Sequence, residues 1–285
     1  MRTGVITDST SYLPAGWAHA NEVYVVPVQV IVDAHARDET NAEQAAHVIT
    51  ALRTGAQVTT SRPAPTRFTE AIEHVRESGC EQAVILTLSS ALSGTYEAAC
   101  AAAAQSKIRV EVVDSRSIGM GLGFAVMAAV LAARAGADAL EVAQRAIEQA
   151  QSTRMFFYVD TLEYLRRGGR IGAANARVGT ALQVKPILQI VDGRVEPVDR
   201  VRTESKAIVR LIELCLDARA GRSCLVSISD LDAPARVEAV ISQWQVAAPD
   251  SPIIRSTIGG VVGAHTGPGV IAIAITPESG LTQVL

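Results

Sequence analysis

Three groups of residues in this chain have the types and spacing to handle an anion or a carbonyl group. The first is Leu88-Ser89-Ser90-Ala91-Leu92-Ser93-Gly94-Thr95-Tyr96, where an apolar run stops at hydroxyls and one glycine before an alanine-rich helical stretch. A helix start carries unpaired backbone N–H groups and the positive end of the helix dipole. Ser93, Gly94 and Thr95 are therefore placed to hold a small anion such as a carboxylate or phosphate. The competing reading is that Ser93 only caps its own helix. The second group is Thr59-Thr60-Ser61-Arg62-Pro63, three hydroxyls ahead of a proline. The third is His265, set among Gly259, Gly260, Gly263, Gly267 and Gly269. Such a glycine-rich loop between apolar strands lets backbone approach a ligand closely and leaves the imidazole as a polar contact; the competing reading is a satisfied structural histidine.

A Ser93–His265 pair with Asp8 or Asp114 behind it would also suit ester hydrolysis, so a Ser-His lipid ester hydrolase is the alternative function. Against it, no Gly-x-Ser-x-Gly surrounds Ser93 and no oxyanion loop is evident. Gly119, Gly121 and Gly123 follow a GxGxG spacing rather than the dinucleotide fingerprint, and close helix packing accounts for them better. There is no P-loop either. The five histidines are dispersed, and Cys80, Cys100, Cys215 and Cys224 form no CxxC pair. No catalytic residue, no metal and no cofactor are expected.

The elements that must position these groups read as alternating strands and helices. Arg2 to Thr7, Ala83 to Leu88 and Arg109 to Val113 are apolar strands, and Val58 begins another; each ends in a loop carrying Ser or Thr. The alternation favours a parallel sheet, with ligands beyond the carboxyl ends of its strands. Thr7 to Thr10, Thr59 to Ser61, Ser89 to Thr95 and Ser115 would then converge on one crevice. Asp33 to Asn41 reads as a polar connection, with Asn41 as cap of a helix from Ala42 to Thr54. Ala137 to Gln151 is an amphipathic helix, and the domain change is placed at its end, giving domains 1–152 and 153–285. The second half holds a hairpin whose arms, Lys185 to Val191 and Arg194 to Val198, meet at Asp192-Gly193; Pro197 marks its second arm as an edge. Helices from Glu204 and Pro234 and strands at Ser223, Ile253 and Val270 complete a mixed α/β domain.

Composition narrows the function further. With 48% hydrophobic residues among 285 the chain can bury a large core, while a net charge of −3 and 4% aromatics offer neither a basic field nor stacking platforms for nucleic acid. Ile118 to Ala133 is uncharged but too short and too rich in Gly and Ala for a membrane helix. Its small side chains would leave room for a ligand. The N-terminus enters a strand without a signal-peptide pattern, and a cytoplasmic protein is expected.

Taken together, several segments resemble the DegV family of bacterial fatty-acid-binding proteins. They are Ile6-Thr7-Asp8-Ser9-Thr10, Thr59-Thr60-Ser61-Arg62-Pro63, Leu88 to Tyr96, Val113-Asp114-Ser115, Tyr164-Leu165-Arg166-Arg167-Gly168-Gly169-Arg170-Ile171 and the glycine loop around His265. The resemblance implies a two-domain α/β fold, with a parallel-sheet N-terminal domain and a mixed C-terminal domain. One long-chain fatty acid would lie between the domains, with its carboxyl group met by Thr60 or Ser61, Ser93 and His265, and Gly94 and Thr95 adjacent. It further implies presentation of the acid to a fatty acid kinase partner that makes acyl phosphate for phospholipid synthesis, with transient contact to the membrane surface. Arg170 and Arg202 match the basic positions implicated in partner contact. Arg62 departs from the family pattern, where Gln is common, and its role stays open.

Overall fold

The computed structural model describes residues 1–40, 42–172 and 184–285; the expected cap, Asn41, lies outside them. The first half runs β1 (Thr3–Asp8), α1 (Trp17–Ala20), β2 (Val23–Val26), β3 (Gln29–Val32), β4 (His35–Asp38), α2 (Ala42–Arg53), β5 (Val58–Ser61) and α3 (Pro65–Glu77). It continues with β6 (Gln82–Thr87), α4 (Thr95–Ala103), β7 (Arg109–Asp114), α5 (Met120–Arg134) and α6 (Ala139–Ser152). Four of these strands form a parallel sheet in the order β2-β1-β6-β7. Every residue of β1 and β6 is buried, as a central parallel strand covered on both faces requires. Side-chain alternation sends Val5, Val84 and Leu86 towards Leu122, Phe124 and Met127 of α5. It sends Ile6 and Ile85 towards Phe68 and Ile72 of α3.

The hydroxyl-bearing strand β5 does not join that sheet. It pairs antiparallel with β3 in a separate three-stranded sheet, β4-β3-β5. The segment read as a polar connection contains β4, joined to β3 by a two-residue turn at Asp33 and Ala34, both at positive φ. β4 escapes notice because His35-Ala36-Arg37-Asp38 is largely exposed and shows no apolar alternation. An Asp-Ala turn is also a weak hairpin signal, since alanine seldom takes positive φ.

The second half runs β8 (Arg154–Tyr158), α7 (Glu163–Arg167), β9 (Lys185–Val191), β10 (Arg194–Val201), α8 (Glu204–Arg219), β11 (Cys224–Asp230), α9 (Pro234–Ala247), β12 (Ile253–Thr257), α10 (Gly260–Thr266) and β13 (Ile271–Pro277). Its six strands form one mixed sheet, β10-β9-β8-β13-β11-β12, antiparallel except for β11 with β12. Asp192 and Gly193 both take positive φ at the β9–β10 turn, and β10 is an edge strand with an irregularity after Pro197. One face of this sheet is sealed by α8 and α9 through Leu211, Cys215, Val237 and Trp244. Its other face looks towards the first half of the chain. Part of that face, Leu225, Ile254 and Ala274, shares a core with α5 and α6.

The stretch read as a glycine-rich loop around His265 is partly helical: α10 places His265 in its last turn. The glycines inside the helix are there for packing. A Cβ on Gly260 would stand 2.9 Å from Val48, and one on Gly263 would collide with Leu231. No helix among the described residues is long and apolar enough to cross a membrane.

Candidate functional site

The loop after β6 is fixed from three directions. Asp8, at the end of β1, accepts from the backbone N–H of Leu88 at 2.7 Å as well as from the amide and hydroxyl of Thr10. Asp114, at the end of β7, accepts from the Ser90 hydroxyl at 2.5 Å and from its amide. Ser89 donates to the carbonyl of Gly193 at 2.8 Å, tying the loop to the hairpin tip. Full burial raises the Asp8 carboxyl to about 6 against the pull of these hydrogen bonds.

Downstream of that loop, α4 begins at Thr95 with Gly94 as its cap residue and no side-chain cap. Ser93 therefore does not cap its helix. Its hydroxyl instead pairs with that of Thr95 at 2.9 Å.

Ser93 and Gly94 line a cavity of about 440 Å³, a volume within the usual range for small-molecule sites. Thr60, Ser61, Arg62, Arg170 and His265 line the same cavity. Four segments far apart in sequence thus bring their hydroxyls, one imidazole and two guanidinium groups together. Thr95 stands one step behind, fully buried, and reaches the cavity through Ser93. Arg202 lies elsewhere, exposed in the bend between β10 and α8.

His265 Nε2 hydrogen-bonds the Thr60 hydroxyl at 2.9 Å, while Nδ1 has no hydrogen-bond partner among the described residues. Burial of the ring, with a smaller contribution from the positive charge of Arg170, lowers its pKa to about 4. The imidazole is therefore neutral at pH 7. Arg170 donates to the carbonyls of Leu92 at 3.1 Å and Gly168 at 2.6 Å, linking the segment before Ser93 to the turn beside His265. Arg62 lies over Gly94, where a Cβ would stand 2.9 Å from its Nη1. The residue whose role the sequence leaves open thus sits at the polar end of the cavity.

The remaining wall is mainly apolar. Leu88, Leu92 and Ile118 come from the first half, and Met155, Phe157 and Ile190 from the second. Strand register sets Phe157, Ala272 and Ser229 side by side on the inner face of the mixed sheet, and the two small residues leave room above it. Of the uncharged run at 118–133, only Ile118, Gly119 and Met120 touch the cavity; α5 otherwise packs into the core.

Two residues that sequence reasoning missed hold α10 in place. Glu39, 8% exposed, accepts from the Ser9 hydroxyl at 2.6 Å, from the Tyr12 hydroxyl at 3.2 Å and from the backbone N–H of Val261 at 2.8 Å. Tyr12 in turn accepts from the Val262 N–H at 3.2 Å. Burial lifts the Glu39 carboxyl to about 7. No local sequence signal marks either residue, because their partners come from a helix more than two hundred positions away.

The arrangement does not assemble a hydrolytic triad. The hydrogen-bond partner of His265 is Thr60, and among the described residues no carboxylate bonds its ring; Asp8 and Asp114 are engaged in holding loops. Nor does any group of three or more His, Cys, Asp or Glu side chains among the described residues stand close enough to hold a metal. What the cavity can do chemically is bind an amphipathic molecule with an anionic end.

Comparison with known proteins points the same way. The family model described as "Uncharacterised protein, DegV family" matches residues 2–278. A DegV domain-containing protein of Streptomyces coelicolor is 42% identical over 273 residues, 95% of this chain and 97% of that protein. Among solved structures, a DegV family protein from Thermus thermophilus described for its fatty acid binding aligns with a TM-score of 0.90 at 31% identity, covering 97% of this chain and 100% of that one. A DegV lipid-binding protein from Thermotoga maritima aligns with a TM-score of 0.87 at 27% identity, covering 97% and 98%.

Proposed function

The chain belongs to the DegV family, and on that premise we propose that it binds one long-chain fatty acid in the cavity between β5, α4 and α10. The observation that carries this reading is the division of a single cavity into a polar end, formed by Thr60, Ser61, Arg62, Ser93, Arg170 and His265, and a mainly apolar remainder. The fatty-acid binding described for the similar Thermus thermophilus protein supports it.

In this reading the acid lies between an N-terminal domain of residues 1–152 and a C-terminal domain of residues 153–285. The carboxylate accepts from the Ser93 hydroxyl and from Thr60 or Ser61, with the unpaired N–H groups at the start of α4 nearby. Arg62 and Arg170 supply positive charge. Affinity comes from the tail: about fourteen methylenes at roughly 0.8 kcal/mol each give an upper bound near 11 kcal/mol before ordering costs. The head group fixes orientation and discriminates against esters and alcohols.

Once bound, the acid would hold its head group at the cavity mouth, where a fatty acid kinase partner could reach the carboxylate and phosphorylate it. Arg170 at that mouth and the exposed Arg202 serve as its contacts, or as contacts with a membrane surface during loading. The protein itself is a carrier and performs no covalent step.

Organic extraction of the purified full chain followed by mass spectrometry tests for the lipid. A fatty acid at near-equimolar yield, and displacement of a fluorescent analogue by the free acid but not by its methyl ester, are the expected results. Absence of lipid together with failure of the acid to bind would refute the reading.

A further inference from the structure

A second cavity, of about 540 Å³, lies beside the first and opens to the surface near Ala15, Gly16 and His19. The two share Tyr12 and Ile258 as lining. None of the polar-end residues of the first cavity lines the second. The partition continues through a pair of hydroxyls, Ser229 facing the first cavity and Ser256 the second, bonded to each other at 2.5 Å.

The Tyr12 ring is held in this partition through its hydroxyl and at two edges. Its hydroxyl donates to Glu39 and accepts from the Val262 N–H. Two glycines flank the ring: a Cβ on Gly259 would stand 2.8 Å from Cε1, and one on Gly119 would stand 3.9 Å from Cδ2. A buried aromatic ring with both hydroxyl bonds made and glycine backbone packed near either edge does not swing aside cheaply. It is a fixed wall one side chain thick.

We propose that Tyr12 and Ile258 set the longest alkyl chain the protein accepts, by closing the tail chamber against the second cavity. This rests on the fatty-acid reading of the first cavity. A tail gains favourable burial with each methylene until it meets the wall; a longer one must bend back or displace Tyr12. Removing the wall joins the two cavities and admits longer chains.

The test is competition by saturated straight-chain acids, from dodecanoic to tetracosanoic, against a fluorescent fatty acid on the full chain. In the unaltered protein affinity should rise about fourfold per methylene, then break and fall by about tenfold or more. Tyr12→Ala and Ile258→Ala should each move the break to longer acids, whereas Tyr12→Phe, which keeps the ring, should leave it in place. A steady rise with no break in the unaltered protein overturns the proposal without need of any variant. So does a break unmoved in a folded Tyr12→Ala or Ile258→Ala, or moved equally by Tyr12→Phe. If no acid of any length binds the unaltered protein, it is the fatty-acid reading itself that fails.

Discussion

The imidazole of His265 occupies the space that a side chain on Gly168 would fill: a Cβ there would overlap Nδ1. Gly168 has φ −76 and ψ −9, a conformation open to any residue. Its lack of a side chain is therefore required by the histidine, not by the backbone. Gly168→Ala should displace the ring from Thr60 and weaken fatty-acid binding about tenfold, comparably to His265→Ala. Isothermal titration of folded variants checks this; an alanine variant that binds as well as the unaltered protein would separate the ring's position from ligand binding.

The Ser93 hydroxyl neither caps α4 nor bonds any described group except the hydroxyl of Thr95. Its hydroxyl can reorient towards a ligand while that of Thr95 stays in reach. Ser93→Ala should lower affinity for the acid about tenfold or more, as loss of a hydrogen bond to a charged group predicts, and leave the melting temperature nearly unchanged. Unchanged affinity in titration would remove Ser93 from the site.

Arg62 is exposed at the mouth and packs on Gly94. An exposed charge contributes modestly and is screened by salt. Arg62→Gln should therefore weaken acid binding only about threefold at low ionic strength, and the difference should disappear at high salt. Affinities that differ equally at both salt concentrations would mean that Arg62 acts through packing and not through charge.

Arg170 bridges the carbonyls of Leu92 and Gly168 at the cavity rim. If it is also a docking residue, Arg170→Ala should reduce acyl phosphate formation in a reconstituted kinase assay about tenfold, with lipid retention changed far less. Equal turnover would reject the docking role.

Glu39 gives stability a pH dependence of defined sign. Its folded value of about 7 lies above the ordinary 4.5, so between these values the folded state holds more protons than the unfolded one. Its contribution to stability is complete below pH 4.5 and falls by about 3 kcal/mol as pH rises to 7. Asp8, raised to about 6, adds a slope of the same sign. His265, lowered to about 4, adds the opposite slope, losing stability as pH falls from 6.5 to 4. The difference between the unaltered protein and Glu39→Gln isolates Glu39: denaturant titrations should show the unaltered protein losing ground to the variant from pH 4.5 to 7. A difference independent of pH would contradict a raised carboxyl.

Local rules make much of this molecule readable from its residues. The apolar runs of β1 and β6, the Asp192-Gly193 turn and the hydroxyls before α4 all come from short-range preferences, and the structure gathers Thr60, Ser61, Ser93 and His265 around one cavity. Other features depend on partners distant in the chain. β5 reads as a parallel strand because hydroxyls end it as they end β1 and β6, but its pairing partner β3 decides otherwise. Helix α10 is hidden because glycine disfavours helices in isolation, and only Val48 and Leu231 pressing against it show why glycines are needed. Ser229 reaches the cavity through cross-strand register, which no single segment encodes.

The tie between Ser89 and the hairpin tip at Gly193, seconded by Arg116 donating to the carbonyl of Asp192, bears on how cargo is exchanged. It clasps the β6 loop to the sheet that floors the chamber, so parting the loop from the hairpin means undoing the clasp. If the proposed acid leaves by a parting of the two halves, its residence time would depend on this latch as well as on the grip of the head group, and a mutation that cut the latch would shorten it.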